Sequence, residues 1–456
     1  ISAAWRISEE NFFKNSSISS WFSNLKLRAS YGMMGDDNLG GLYPDFAYLS
    51  GYTYYKGQSL MPDDPFSSVK SKKVIGSAPK GIPVTTISWM KIKLMNVGID
   101  FGFFDNRLTG EFDLFKRMRD GIPGTPSDIM FPLETGLSAL PENMNSDMTV
   151  GFDAFVKWND KVGDLKYSVG ANITFARQKN GKRHGEIFGN AWDKYRWAQS
   201  NRWSNVVLNT DQGNAGGVWM WEVIGRFETQ EQIDSYPVDQ DGQNNATVRP
   251  GDVILRDVNG DGIINDFDER PQAYASADWP WDSSTSNKNP LISMGINLGF
   301  EWKGFDVAAD FAGGFKNTFV ADWDLKWGVT RSVNGYYYNN IDVWRHEDIF
   351  DPKSPWIPGK FPALRGQESH SGRWWNSFYT REVNYLRLRN LVVGYSLPKN
   401  WIRKVGMEQC RIYFQGTNLF CLSSLHDYGF DPEISTVNGQ DYPQHKVLTL
   451  GVNVKF

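Results

Sequence analysis

Twelve consecutive residues, Asp257-Val258-Asn259-Gly260-Asp261-Gly262-Ile263-Ile264-Asn265-Asp266-Phe267-Asp268, set hard oxygen donors at the spacing of a cation loop. With Asp257 as position 1, side-chain oxygens fall at positions 1, 3, 5, 9 and 12, carried by Asp257, Asn259, Asp261, Asn265 and Asp268. Gly262 at position 6 permits the sharp turn, and Ile263 at position 7 offers its backbone carbonyl, the order of an EF-hand loop. The chemistry expected is a structural Ca2+ site. Asp268 reaches less far than the bidentate Glu usual at that position, which weakens Ca2+ binding and admits some Mg2+. No helices are predicted on either side, so the loop reads as a clamp that orders a long surface segment rather than as a sensor. The competing reading is a set of metal-free Asx turns.

A second chemistry is carried by flat aromatic rings. Trp192, Tyr195, Trp197 and Trp203 cluster with Asp193, Lys194, Arg196 and Arg202, and a further group comprises Tyr336-Tyr337-Tyr338 and Trp374-Trp375. Aromatic faces beside polar groups suit stacking on sugar rings; the same residues also serve loop–loop packing or contact with a covering protein. Trp192, Tyr195, Trp197, Trp203, Tyr337, Trp374 and Trp375 are the candidates for substrate or lid contact. Nothing in the chain assembles a nucleophile–base set. His184, His346, His370, His426 and His445 are scattered, with no HExxH or GxSxG, so an enzyme is not expected.

The elements that must hold these loops are strands. From Ile292 to Trp302 every second residue is apolar (Ile292, Met294, Ile296, Leu298, Phe300, Trp302), and the alternation resumes through Phe305, Val307, Ala309 and Phe311. Period two marks two β-strands, and a turn at Lys303-Gly304 sets Trp302 against Phe305, Phe300 against Val307 and Leu298 against Ala309. A second hairpin pairs Met148–Trp158 with Leu165–Phe175 about a turn at 159–164, counted outward from Trp158 opposite Leu165. A third turns at Phe104–Arg107, with Val97, Ile99, Phe101 and Phe103 against Leu114, Phe112, Gly110 and Leu108. One face of each is greasy and the other small and polar, as a transmembrane β-barrel needs with lipid outside and water inside. Val150, Phe152, Val156, Ile296, Leu298 and Phe311 are expected to face lipid, and Asp153, Lys157, Asn297 and Asp310 the lumen. A large soluble β-sandwich or propeller is the competing architecture.

Composition agrees. No run of about 18 apolar residues exists, so no transmembrane helix is expected, but barrel strands hide their hydrophobicity in alternation. Aromatics make up 15% of 456 residues, with 19 Trp, as interfacial girdles would require. The net charge of −4, from 48 Lys+Arg against 52 Asp+Glu, with no basic patch, argues against nucleic acid. Cys410 and Cys421 lie too far apart along one extended strand for a disulfide.

Connection lengths order the strands. Links after Phe103, Trp158, Trp302 and Ser396 are short, and those after Arg117, Phe175, Gly314 and Phe420 are long. Short periplasmic turns alternating with long extracellular loops is the habit of outer-membrane barrels. Strands over Ile1–Ile7, Leu25–Gly32, the three hairpins, Asn384–Ser396, Glu408–Phe420 and Lys446–Phe456 make about eleven, with Val218–Phe227 a candidate for more. An odd number cannot close a bacterial barrel, so further strands are expected outside these residues. The last strand alternates Leu448, Leu450, Val452, Val454 and Phe456 and ends on the aromatic. It resembles the signal read by the barrel-assembly machinery, with Leu450, Val452, Val454 and Phe456 as its residues.

Several stretches, in order, resemble the SusC/RagA family of TonB-linked outer-membrane transporters of the Bacteroidetes. They are Leu25-Lys26-Leu27-Arg28-Ala29-Ser30-Tyr31-Gly32, then Gly251-Asp252-Val253 running into Asp257-Val258-Asn259-Gly260-Asp261-Gly262. Further along are Tyr385-Leu386-Arg387-Leu388-Arg389-Asn390, Gly394-Tyr395-Ser396-Leu397-Pro398, Gly416-Thr417-Asn418-Leu419-Phe420, and Tyr442-Pro443 through Phe456. Each is weak alone; the ordered set spans the chain. The resemblance implies an all-β, antiparallel barrel of about 22 strands with a plugged lumen, of which residues 1–456 are the C-terminal portion without plug, TonB box or first strands. It implies a Gram-negative outer-membrane location in lipid, energy from an inner-membrane TonB complex, a SusD-like surface lipoprotein as lid, and import of a glycan or, in some members, an oligopeptide. A passive porin-like barrel and a soluble carbohydrate-binding β-protein are the functional alternatives.

Overall fold

Residues 1–37, 48–55, 76–79, 82–86, 88–124, 126, 132, 139–182, 191–192, 194–195, 218–273, 290–320, 342–363, 376–426, 430–433, 442 and 444–456 are described by the structure, a computed structural model. Eleven strands follow one another through a single antiparallel sheet: β1 (Ser2–Arg6), β2 (Phe22–Asp36), β3 (Met90–Phe103), β4 (Leu108–Gly124), β5 (Glu142–Val162), β6 (Leu165–Asn180), β7 (Ile292–Trp302), β8 (Phe305–Val320), β9 (Thr380–Ser396), β10 (Gln409–Thr417) and β11 (Val447–Lys455). Spatial order equals chain order, the up-and-down path of a barrel wall. Among the described residues no helix is long and apolar enough to cross a membrane.

The registers show why the sequence alternates. Across seven strands one row reads Trp5, Leu27, Ile99, Phe112, Ala154, Ile173, Met294, apolar throughout. The row beside it, whose side chains point to the other face, reads Arg6, Lys26, Asp100, Glu111, Phe155, Asn172, Gly295. The apolar face is bare: Val97, Leu114, Val156, Val169, Leu298, Ile412 and Leu450 are all exposed. A continuous greasy surface of this extent is not tolerated in water and fits hydrocarbon. The buried apolar clusters lie instead in the loops and where loops meet strand ends.

Two hairpins have the expected registers. Trp302 pairs with Phe305, Phe300 with Val307 and Leu298 with Ala309. Both turn residues take positive φ, Lys303 at 45° and Gly304 at 91°, the two-residue turn whose twist matches the strands. Phe103 pairs with Leu108 and Val97 with Leu114, the connection passing through Phe104, Asp105 and Asn106, all at positive φ. The third hairpin differs from expectation. Trp158 faces Val169, not Leu165; β5 continues through polar Asn159–Lys161 to Val162, which pairs with Leu165 across Gly163-Asp164. The shift is four residues, an even number, so apolar still meets apolar: Val156 with Ala171, Phe152 with Phe175. The supposed turn residues extend the strand beyond the greasy zone.

Two further expectations are corrected. Val218–Phe227 does not add a wall strand. It splits into Val218–Met220, paired with Arg270–Ala273, and Val223–Arg226, paired with Val253–Leu255, outside the main sheet. Glu408–Phe420 is not one strand either. It breaks at Asn418, at φ 54°, and Cys421–Ser423 resumes against the far half of β9.

The end of the sheet with short turns carries clustered aromatic rings, stacked at Phe22–Phe103 and Trp21–Phe103 and tilted at Phe104–Trp158 and Phe305–Tyr395. Phe22 and Phe103 lie 4.4 Å apart, Trp21 and Phe103 5.6 Å, Phe104 and Trp158 6.1 Å, and Phe305 and Tyr395 4.5 Å. This is the amphipathic girdle of a membrane interface.

Candidate functional site

Residues 218–273 of the long connection between β6 and β7 lie at the opposite end and fold into a compact unit. Thr229 caps the short helix Gln230–Asp234, accepting the N–H of Gln232, and seats Ile233 against Phe227, Val248 and Ile254 with the Tyr236 ring edge-on to Phe227. Fully buried Gln240 is satisfied by donating to the Val253 carbonyl (3.1 Å) and accepting from the Leu255 N–H (2.6 Å). Asp241 gathers the next turn: its carboxylate accepts the N–H groups of Gln243, Asn245 and Thr247 and the Thr247 hydroxyl. Burial pushes this carboxyl up, but the Thr247, Gln243 and Asn245 bonds outweigh it and hold it well below the usual carboxylate range.

The Asp257–Asp268 loop docks on this turn. The Asp239 N–H donates to the Gly262 carbonyl (2.9 Å) and the Ile264 N–H to the Asp239 carbonyl (3.0 Å). Its side chains are arranged as a set of Asx turns. Asp257 accepts from the N–H groups of Gly260 and Gly262, Asn259 from Asp261, and Asp261 from Ile263. The Ile263 N–H, with the side-chain amides of Asn259 and Asn265, holds the exposed Asp261 carboxyl below its ordinary range. Asp268 is buried, one oxygen accepting from Val258 and Asn259 and the other from Asn265. Among the described residues no group of three or more His, Cys, Asp or Glu side chains is gathered as a metal site. The donor set is nonetheless all hard oxygen, with Asp257, Asn259, Asp261 and Asn265 on one short loop, a chemistry that fits Ca2+.

Inside the unit the Trp221 indole N–H donates to the Asn265 carbonyl (2.8 Å). The unit is fastened to its neighbours by the Val223 N–H, which donates to the Ser377 hydroxyl just ahead of β9 (2.9 Å), and by the Arg226 guanidinium, which donates to the Gly359 carbonyl (2.9 Å). Gly251, at φ 91°, lies so close to Trp344 that a Cβ there would sit 2.4 Å from the indole. Gly251 therefore serves a close approach between two loops.

Of the aromatic candidates, Trp192 and Tyr195 are described. Their rings stack at 5.3 Å and 24°. Phe267, inside the Asp257–Asp268 loop, meets Trp192 edge-on at 5.5 Å, and the Arg270 guanidinium lies 5.4 Å from the Trp192 ring. Spacing along the chain offers no reason to join these two candidate sites; the structure brings them into contact. Trp197, Trp203, Tyr337, Trp374 and Trp375 lie outside the described residues.

The lumen face carries paired charges. The Arg28 guanidinium spans Asp100 and Asp113, at 2.6 and 2.9 Å, passing over Gly98. Arg119 binds Asp147, and Arg411 binds Asp306. Asn297 donates to Asp310 at 2.7 Å. Higher on the wall, buried Arg387 and neighbouring Arg389 hold Asp431 and Glu433, drawing the loop after Cys421–Ser423 against β9. Arg28–Asp100 and Arg119–Asp147 join neighbouring strands, whereas Arg28–Asp113 and Arg411–Asp306 reach across an intervening strand at Gly98 and Gly394, and such pairs become readable only once registers are known. Leu450, Val452, Val454 and Phe456 stand exposed along β11, with Leu450 78% and Phe456 79% exposed.

Comparison with known proteins gives a consistent picture. No family model matches the chain. It is 23% identical over its full length to the TonB-dependent receptor SusC of Bacteroides thetaiotaomicron, covering 40% of that protein. It is 23% identical, again over its full length, to the TonB-dependent receptor P39 of Formosa agariphila, covering 42% of it. All of the chain superposes on 42% of a chain of the RagAB peptide importer in its open-open state, with a TM-score of 0.65 at 19% identity, and on a second RagAB structure at 0.62 and 20%. The chain thus spans about two fifths of the length of the curated relatives it matches.

Proposed function

We propose, from the premise that this chain is in sequence and fold a barrel portion of a SusC/RagA-type TonB-dependent outer-membrane receptor, that the protein it belongs to imports a large polar nutrient at the expense of TonB-delivered energy. The observation that carries this is the asymmetry of the wall. Eleven strands meet short turns and an aromatic girdle at one end, and a folded, hydrogen-bonded loop unit at the other. A structured outer surface of this size suits recognition and a SusD-like lipoprotein lid, which a passive pore does not need. A glycan is the cargo we favour, because the outer unit presents stacked aromatic rings beside polar groups. An oligopeptide is the second reading, favoured by the likeness to RagAB. Residues 1–456 are read as the C-terminal part of the barrel, with transport rather than catalysis as the activity. Within the outer unit, Asp257, Asn259, Asp261, the Ile263 carbonyl, Asn265 and Asp268 would hold Ca2+ and stiffen the loop.

The test uses the whole protein in cells with and without TonB. Uptake of fluorescent oligosaccharides is expected to require TonB. Uptake that persists without TonB would mean a passive pore, and TonB-dependent uptake of peptides alone would transfer the function to the second reading.

A further inference from the structure

The geometry points to an anionic-phospholipid site on the turn 398–407 between β9 and β10, its ligand the phosphate headgroup of a lipid such as phosphatidylglycerol in the periplasmic leaflet. The turn reads Pro398-Lys399-Asn400-Trp401-Ile402-Arg403-Lys404-Val405-Gly406-Met407, with three cations and no carboxylate. It folds as the short helix Lys399–Ile402 and one 3-10 turn, Arg403–Val405, closed by Gly406 at φ 77°. Ile402 is turned inward and buried. Trp401 and Val405, four residues apart and so on one side, stand 65% and 64% exposed. Lys399, Arg403 and Lys404 are exposed around them, and among the described residues none of the three has an ion-pair partner. Glu408, next after the turn, is already taken by Lys455 at 3.1 Å.

The turn continues the surface that already meets lipid. The Ser396 N–H donates to the Gly304 carbonyl (2.8 Å), so the turn stands beside Lys303-Gly304, where the Lys303 ammonium lies 5.4 Å from the Trp302 ring. The Leu397 N–H donates to the Cys410 carbonyl (2.9 Å), and the helix packs against β10. Cys410 belongs to the lipid-facing row of β10. Ile412 and Phe414 in that row are exposed, but Cys410 is buried. The helix therefore lies over the lipid side of the strand end, at the level of the headgroups. An indole has its preferred depth there, and Lys and Arg stems run along the apolar boundary while their charged ends reach phosphate. An anion free in the periplasm would satisfy the cations but leave Trp401 and Val405 in water.

The inference does not depend on what the barrel imports. Its test is native mass spectrometry of the full-length transporter in detergent, with dioleoylphosphatidylglycerol and dioleoylphosphatidylethanolamine as probes. One cation beside an anionic lipid surface strengthens binding about fivefold, so the wild type should prefer phosphatidylglycerol by about tenfold or more. The triple variant Lys399→Gln, Arg403→Gln, Lys404→Gln should lose most of that preference, and Arg403→Lys should keep it. Trp401→Ala should weaken binding of both lipids alike. Unchanged heat-modifiability on a gel shows that the variants still fold. A folded triple variant with the wild-type preference would overturn the site. So would displacement of phosphatidylglycerol by millimolar inorganic phosphate, the behaviour of an anion site that needs no lipid. If the triple variant fails to fold, a photocrosslinking amino acid in place of Val405 takes over as the readout. It should capture phosphatidylglycerol in excess over phosphatidylethanolamine from vesicles containing both in equal amount; equal capture, or none, would overturn the assignment.

Discussion

Asp241 satisfies four donors with one carboxylate and so closes the turn on which the Asp257–Asp268 loop sits. Its folded-state carboxyl titrates below the unfolded one, so the stability it contributes is present above the unfolded value of about 4 and is lost as pH falls through the lower folded value. Limited proteolysis of the outer unit is therefore expected to be flat from about pH 5 to 8 and to quicken only below about pH 4. Asp241→Asn, which keeps the shape and loses the charge, should quicken it at neutral pH as well; protection unchanged in that variant would show that the hub carries no stability. The neighbouring loop answers to a different measurement. Calorimetry on the full-length protein should register Ca2+ at millimolar concentration, and Asp257→Ala with Asp261→Ala should abolish the heat while the barrel stays heat-modifiable. The loop's own N–H groups already occupy these carboxylates, including both oxygens of Asp268, so absence of any heat would leave it as metal-free turns.

At the scale of strands, the alternation in the sequence was enough to find the wall because each face has a different solvent and slips by one residue are forbidden. The hairpin at Lys303-Gly304 was legible to the residue, since the greasy zones run up to a two-residue turn. The hairpin at Gly163-Asp164 was misplaced because Asn159, Asp160 and Lys161 are polar although still in the strand; parity alone rescued its faces. The outer unit was not legible, because Val223–Arg226 finds its partner at Val253–Leu255 and Phe267 finds Trp192 only through the fold. The inner face yields a sharp test at Gly98. A Cβ there would lie 2.2 Å from Asp113 Oδ1 and 3.2 Å from the Arg28 guanidinium carbon, so Gly98→Val must displace the carboxylate or the ion pair. A loss of about 1–3 kcal/mol in urea unfolding is expected. On the outer face, Ile296 lies six residues from Trp302 at the turn, near mid-depth of the hydrocarbon, and Ile296→Lys should cost about 2–4 kcal/mol. Cysteine placed at Ile296 should stay silent to a membrane-impermeant reagent while cysteine at Asp153 reacts; the reverse pattern would turn the wall inside out.

At the largest scale, the described strands form a wall with two edges. In the described sheet β1 pairs with β2 and β11 with β10, and nothing joins β1 to β11. Each outer edge presents a row of backbone N–H and C=O groups, and along β11 the row borders the exposed, greasy faces of Leu448, Leu450, Val452 and Val454. In hydrocarbon an unpaired backbone group costs several kcal/mol, far more than any side chain on these strands recovers by meeting lipid. Curling eleven strands until β1 met β11 would pair two strands of the same direction, since an odd number of alternating strands returns in register with itself, and up-and-down bacterial barrels close antiparallel. The edges are therefore expected to be covered by further strands of the full protein. Expressed by themselves, residues 1–456 should give no heat-modifiable monomer in detergent and should not sediment with outer membrane as a protease-resistant species. Supplying the rest of the protein in trans should restore both, because the missing partners of β1 and β11 are backbone and need no covalent join. A protease-resistant, heat-modifiable monomer from these residues alone would mean that the wall closes on itself, and that the barrel is half the circumference its likeness to the larger receptors implies.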